Sequence, residues 1–227
     1  MKNTLLILAL AMSVACASQP EPPEATEPAM EEQAKLGFFI TSGGPGDGAN
    51  LGGLPGADAH CQKLAEAAGA GDRTWRAYLS ASPFGDRPAV SARDRIGAGP
   101  WHNAKGVQVA RDVADLHSEN NRLSKENSLT EQGEVVKGRG DTPNEHDILT
   151  GTREDGSAFN DGDDHTCRNW TGNGEGSAQV GHHDRIGGGP NPTSWNASHG
   201  SRGCSQDNLQ GTGGNGYFYC FAADEPS

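Results

Sequence analysis

The chain has no apolar run long enough to cross a bilayer: its longest, near the start, covers about a dozen residues, against the roughly 20 that a membrane helix needs. Material for a core is also scarce. Only 33% of the 227 residues are hydrophobic, the mean hydropathy is -0.68, and 33 glycines interrupt the sequence, so long helices and strands are excluded in favour of a loop-rich domain. Basic charge is sparse as well. Eighteen Lys and Arg against 30 Asp and Glu give a net charge of -12 with no basic cluster, which argues against nucleic acid and heparin-like polyanions as partners. The G-x-S-x-G nucleophile motif and a phosphate-cradling Gly-rich loop are missing too, so serine-hydrolase and nucleotide chemistry have no basis here.

What the chain does have begins with Lys2, the apolar stretch Leu5 to Leu10 and the small residues Ser13, Val14 and Ala15, the pattern of a signal peptide over residues 1–15. Ser13-Val14-Ala15-Cys16 resembles a bacterial lipobox, which implies that Cys16 is lipidated and becomes the new N-terminus. Cleavage after Ala17, using Ala15-Cys16-Ala17, is the alternative and yields a secreted protein. Residues 16–35 then form a Pro- and Glu-rich tether with almost nothing to bury, which is expected to be disordered. Export to the cell envelope is expected by either route, with an outer-membrane lipoprotein as the leading form and membrane attachment through the lipid alone.

Residues 36–227 have the length of one domain. In an oxidising compartment the four remaining cysteines, Cys61, Cys167, Cys204 and Cys220, read as a disulfide framework that supplements a thin core. Spacing leaves all three connectivities open. Strands are expected at about 37–42, 74–80, 107–110, 147–152, 167–171, 178–182 and 216–222. A helix follows Gly53, with Asp58 in its first turn and Cys61, Leu64, Ala65 and Ala68 on one face.

The stretch from Gly48 through Gly56-Ala57-Asp58-Ala59-His60-Cys61, followed by Trp75-Arg76-Ala77-Tyr78-Leu79-Ser80, resembles the opening of endostatin-like domains. Cys167-Arg168-Asn169-Trp170, Ser194-Trp195-Asn196, Gly203-Cys204-Ser205 and Tyr217-Phe218-Tyr219-Cys220 resemble the closing section of bacterial lectin-like proteins of the same superfamily. The resemblance implies an α+β, C-type-lectin-like fold in which Cys61 pairs with Cys220 and Cys167 with Cys204. The leading functional expectation is a non-enzymatic binding domain whose ligand is a glycan or a protein, with Trp195, Asn196, Trp170 and Asn169, aromatics and amides that suit stacking and hydrogen bonding to neutral sugars, as candidate ligand-binding residues.

The calcium-dependent sugar site of C-type lectins carries Trp-Asn-Asp, whereas here Ala197 follows Trp195-Asn196. Calcium is instead a candidate at Asn160-Asp161-Gly162-Asp163-Asp164, where Asp161, Asp163 and Asp164 offer the hard oxygens the ion prefers. A second metal reading, with a metal-dependent hydrolase as the corresponding alternative function, draws on His182, His183 and Asp184 with His165 and His199. It meets one objection: on a strand, His182 and His183 point to opposite faces. A third functional alternative is a purely structural envelope protein. Two further phrases stand out, the tripeptide Arg139-Gly140-Asp141, read as turn chemistry, and the pair Asp94-Arg95-Ile96-Gly97 and Asp184-Arg185-Ile186-Gly187, read as two similar loops.

Overall fold

A computed structural model describes residues 35–223; the expected signal peptide, Cys16 and all but the last residue of the expected tether lie outside the described residues. Within the described residues the fold is α+β with eight strands. These are β1 (Phe38–Ile40), β2 (Trp75–Ala77), β3 (Trp101–His102), β4 (Gln108–Ala110), β5 (Asp147–Leu149), β6 (Gln179–His182), β7 (His199–Gly200) and β8 (Gly214–Ala222). The helices are α1 (Gly53–Ala67), α2 (Val113–Leu116) and α3 (Gln206–Thr212). None of the described helices is long and apolar enough to cross a membrane.

The main sheet runs β1-β8-β5-β6-β7, with β2 also paired to β8. β8 is the longest strand, and it organises the rest: β1 and β2 run antiparallel to its second half, β5 parallel to its first. Phe38 stands opposite Phe221 and Ile40 opposite Tyr219. One face of this sheet packs on α1 through Phe39, Trp75, Leu79 and Phe218; the other gathers Phe38, Tyr78, Trp101, Trp195, Tyr219 and Phe221. Few but large side chains therefore build both cores, which is how a chain so poor in hydrophobic residues closes.

Disulfides join Cys61 of α1 to Cys220 of β8 and Cys167 to Cys204. The first closes a span of 159 residues and the second one of 37, contributions of roughly 5 and 4 kcal/mol in the chain-entropy model.

Two local expectations change. α1 begins earlier than its acid suggests, so Asp58 lies mid-helix. There its carboxylate accepts hydrogen bonds from the Ala77 amide and from the guanidinium groups of Arg76 and Arg95 at 2.7–3.0 Å. The segment Cys167–Trp170 is a left-handed turn rather than a strand, with φ of 47°, 58°, 56° and 65°. Each such L-residue costs about 1–2 kcal/mol. The turn is held by the Cys167–Cys204 bond, by the Thr166 hydroxyl accepting the Asn169 amide at 3.1 Å, and by Trp170, buried with its ring N–H donating to Ser80 O at 2.7 Å.

Candidate metal centre

The register of three neighbouring strands assembles the most chemically unusual cluster in the protein. In the antiparallel β5–β6 pair Asp147 stands directly opposite His182. In the β6–β7 pair His199 stands opposite Val180, two residues from His182 and so on the same face of the sheet. His146 precedes β5, free of the strand's alternation, and its ring stacks on that of His182 with centroids 4.2 Å apart. β6 can lie this close to the 195–199 segment only because position 181 is glycine: a Cβ there would stand 1.9 Å from Trp195 O.

The Nε2 atoms of His146 and His182 lie 3.3 Å from Asp147 Oδ1, and that of His199 lies 3.6 Å away. His182 Nε2 and His199 Nε2 are 3.0 Å apart. A zinc-class ion held tetrahedrally at about 2.0–2.1 Å separates its ligand atoms by roughly 3.3–3.4 Å; His146, Asp147 and His182 place their ligand atoms within 4.8 Å of one another, while His199 stands outside that set and approaches only its Asp147 and His182 members. Asp147 is 3% exposed, and neither of its carboxylate oxygens receives a hydrogen bond. A buried carboxylate without donors is costly unless a cation meets it.

The far side of each ring fixes what its near side presents. His182 Nδ1 faces Pro192 O at 2.8 Å, His146 Nδ1 faces Asp184 Oδ1 at 3.2 Å, and His199 Nδ1 faces Gly200 O at 3.2 Å. With acceptors on that side, the Nδ1–H tautomer of each ring is the one that leaves an Nε2 lone pair facing Asp147. Such outer partners orient metal-binding histidines and raise their basicity. Asp184 is held in turn by the backbone N–H groups of Arg139 at 2.6 Å and Ile186 at 3.2 Å. Burial alone would raise its pKa; the hydrogen bond from His146 and those two amides outweigh burial and hold it well below the usual carboxylate range. Burial likewise opposes a charged His182, but the Asp147 carboxylate and Pro192 carbonyl prevail and raise its pKa.

Of the histidine set expected from sequence, His182 and His199 converge, and Asp184 braces the centre without facing its middle. His183 points away, as strand alternation requires: its Nε2 faces Lys137 O at 3.2 Å, and burial lowers its pKa. His165 lies elsewhere, beside Asp161. His146 and Asp147 have no expectation behind them, because their role arises only from the β5–β6 register.

The aromatic and amide set is corrected. Trp195 is 4% exposed and packs on Tyr78, Tyr219 and His117, and Trp170 is fully buried, so neither ring has a face to offer a ligand. Asn196 is buried too, its amide donating to Tyr78 Oη, Arg153 O and Glu154 O at 3.0–3.1 Å. Asn169 is spent on Ser82, accepting its N–H at 2.7 Å and donating to its carbonyl at 3.2 Å.

The acidic loop is corrected in part. Asp161 and Asp163 gather with His165, but both oxygens of Asp164 are engaged by backbone amides, one by Thr166 and the other by Arg168. That leaves a nitrogen and two exposed carboxylates, a poor set for calcium. In the Arg139-Gly140-Asp141 turn, Asp141 folds back to accept the Gly138 amide at 2.8 Å and to pair with Lys125.

A cleft of about 760 Å³ separate from the centre is flanked by Pro55, Phe84, Arg87, Asp163 and Arg168. Phe84 is 64% exposed, with the Arg87 guanidinium 5.4 Å from its ring centre.

No protein-family model matches this chain, and no curated protein matches it.

Proposed function

We propose that this protein is an exported, metal-binding recognition domain of the cell envelope, holding a zinc-class divalent ion between His146, Asp147, His182 and His199. The observation that carries the reading is Asp147: a buried carboxylate without a hydrogen-bond partner of good geometry, facing three imidazole Nε2 atoms whose Nδ1 atoms face acceptors on the far side. A set of three nitrogens and one carboxylate oxygen suits zinc and its first-row neighbours, whereas calcium and magnesium call for oxygen throughout.

A C-type-lectin-like fold is proposed on three features: β1 and β8 pair at the two ends of the domain, Cys61–Cys220 ties the first helix to the last strand, and Cys167–Cys204 closes the intervening loops. The disulfides favour an oxidising compartment, in keeping with export and a lipid anchor at Cys16. Metabolic labelling with a radioactive fatty acid tests that anchor; an unlabelled wild type removes it.

The metal reading is tested by elemental analysis of protein purified without chelator and reloaded with zinc or cobalt(II). One equivalent bound by the wild type, with a tetrahedral cobalt spectrum that disappears in His182→Ala, is expected. A wild type that binds neither ion overturns it.

Glycan or protein recognition, the second reading, is favoured by the exposed Phe84 beside Arg87, Asp163 and Arg168, since an open aromatic face with polar neighbours suits a sugar ring or peptide. Glycan-array or pull-down binding that disappears in Phe84→Ala supports it, and retained binding refutes it.

A further inference from the structure

We infer that His199 is the displaceable member of this centre, so that the bound ion offers its outer position to an exogenous anionic oxygen donor, a carboxylate above all. The inference rests on the metal-binding reading above. Four observations separate His199 from the other three residues and point to an anion.

The first is depth: the side chains of His146, Asp147 and His182 are at most 5% exposed, that of His199 is 23% exposed. The second is support. β5 and β6 each have strands on both sides, while His199 belongs to the two-residue edge strand β7. The third is the outer partner. His182 Nδ1 is met by both Pro192 O and the Ser198 hydroxyl, and His146 by Asp184, itself anchored by two amides; His199 has only the carbonyl of its neighbour Gly200, at 3.2 Å. A ligand so lightly braced yields to a competitor before the others do. Three fixed ligands and one open position are also how metal sites that engage external molecules are built.

The fourth observation gives the charge of the visitor. The Gly187–Gly189 run covers this side of the centre, with Gly187 packed so closely on His182 that a Cβ would stand 2.1 Å from its Cε1, and Gly189 next to His199. Beside the same run lies the guanidinium of Arg139, its Nη1 3.9 Å from the point where a Cβ of Gly188 would stand. Arg139 is exposed, and among the described residues no carboxylate pairs with its side chain. A divalent ion already balanced by one carboxylate retains positive charge, and a guanidinium beside the glycine run that borders it favours a carboxylate, which it can grip through two parallel hydrogen bonds.

Cobalt(II)-loaded protein tests this, using wild type, His199→Ala, His182→Ala and Arg139→Gln, with acetate and azide as probes and the visible and charge-transfer bands as readout. Unfolding of each apo form by heat verifies that the variants are folded. His199→Ala is expected to keep one cobalt at an affinity reduced by about 10–100-fold, the scale of losing an outer-shell partner, and to bind azide and acetate at lower concentrations than the wild type does. Arg139→Gln is expected to weaken anion binding without weakening cobalt binding. The inference is overturned if a folded His199→Ala loses cobalt as completely as His182→Ala, or if neither anion alters the spectrum of any variant. A wild type that takes up no cobalt removes the metal reading itself, an outcome distinct from both.

Discussion

His182 and His199 turn their Nε2 atoms toward each other across 3.0 Å, while the Nδ1 of each is committed to a backbone carbonyl. In the tautomers that those carbonyls favour, two lone pairs meet at that distance, and a cation between or beside them relieves the repulsion. The same cation would meet Asp147, and one ion thereby resolves two unfavourable contacts at once.

Zinc should accordingly raise the thermal stability of the purified domain. At a free concentration 100 times the dissociation constant the gain is about 2.7 kcal/mol, which for a domain of this size corresponds to roughly 5–10 °C. Differential scanning calorimetry with and without zinc, and with His182→Ala as control, measures it; equal midpoints for all samples contradict the centre.

Asp184→Asn should weaken zinc binding by about 10–100-fold without unfolding the protein, because it removes the charged partner of His146 Nδ1 but keeps a hydrogen-bond acceptor in place. Competition with a chromophoric chelator gives the affinity directly.

The buried aromatics should behave as structure. Trp195→Ala is expected to cost about 3–5 kcal/mol in denaturant unfolding, whereas Phe84→Ala, on an exposed loop, should stay within about 0.5 kcal/mol. The reverse ranking would mean that Trp195 is free to meet a ligand.

His117 gives a pH dependence with a definite sign. Its Nδ1–H donates to Val113 O at 2.7 Å and its Nε2 accepts the Tyr78 hydroxyl at 2.7 Å, so the ring is held neutral. Burial is the main cause that lowers its pKa from 6.5, partly offset by the Val113 carbonyl. In the unfolded chain the ring takes up a proton below pH 6.5, while the native ring resists it until the pH is lower still. Its contribution to stability is therefore full above pH 6.5 and erodes as the pH falls through and below that value. Urea unfolding of apo protein between pH 7.5 and 5, compared with His117→Gln, should show a shallower acid loss in the variant.

Replacing Cys167 and Cys204 together by Ser should cost up to about 4 kcal/mol. It should also loosen the left-handed turn that the bond secures, seen as faster amide exchange from Arg168 to Trp170.

The parts legible in the sequence are those with local causes. α1 shows its inward face through Ala57, Cys61 and Ala65 at helical spacing, and β1 and β8 show theirs as aromatic runs between glycines. The Cys167–Trp170 segment misleads, because tryptophan and threonine favour strands and nothing local announces four consecutive positive φ angles imposed by a disulfide and a buried indole. Trp195 and Asn196 mislead in a similar way: side chains suited to sugar binding also suit a buried junction between Tyr78 and the carbonyls of Arg153 and Glu154. The centre was half legible. His182 and His199 stand out as histidines in the right region, but His146 and Asp147 join them only through a cross-strand register that spacing does not encode.

The pairing of β1 with β8, together with the bond from Cys61 to Cys220, also governs how the domain bears a load. Tension applied between its two ends can peel β1 and unwind the first part of α1, but it then reaches Cys61 and crosses to Cys220 through a covalent link. The residues enclosed by that link, the histidine centre among them, are left slack. A domain stretched by its ends would lengthen by its outermost segments only, with the sheet that carries His146, Asp147, His182 and His199 feeling none of the pull.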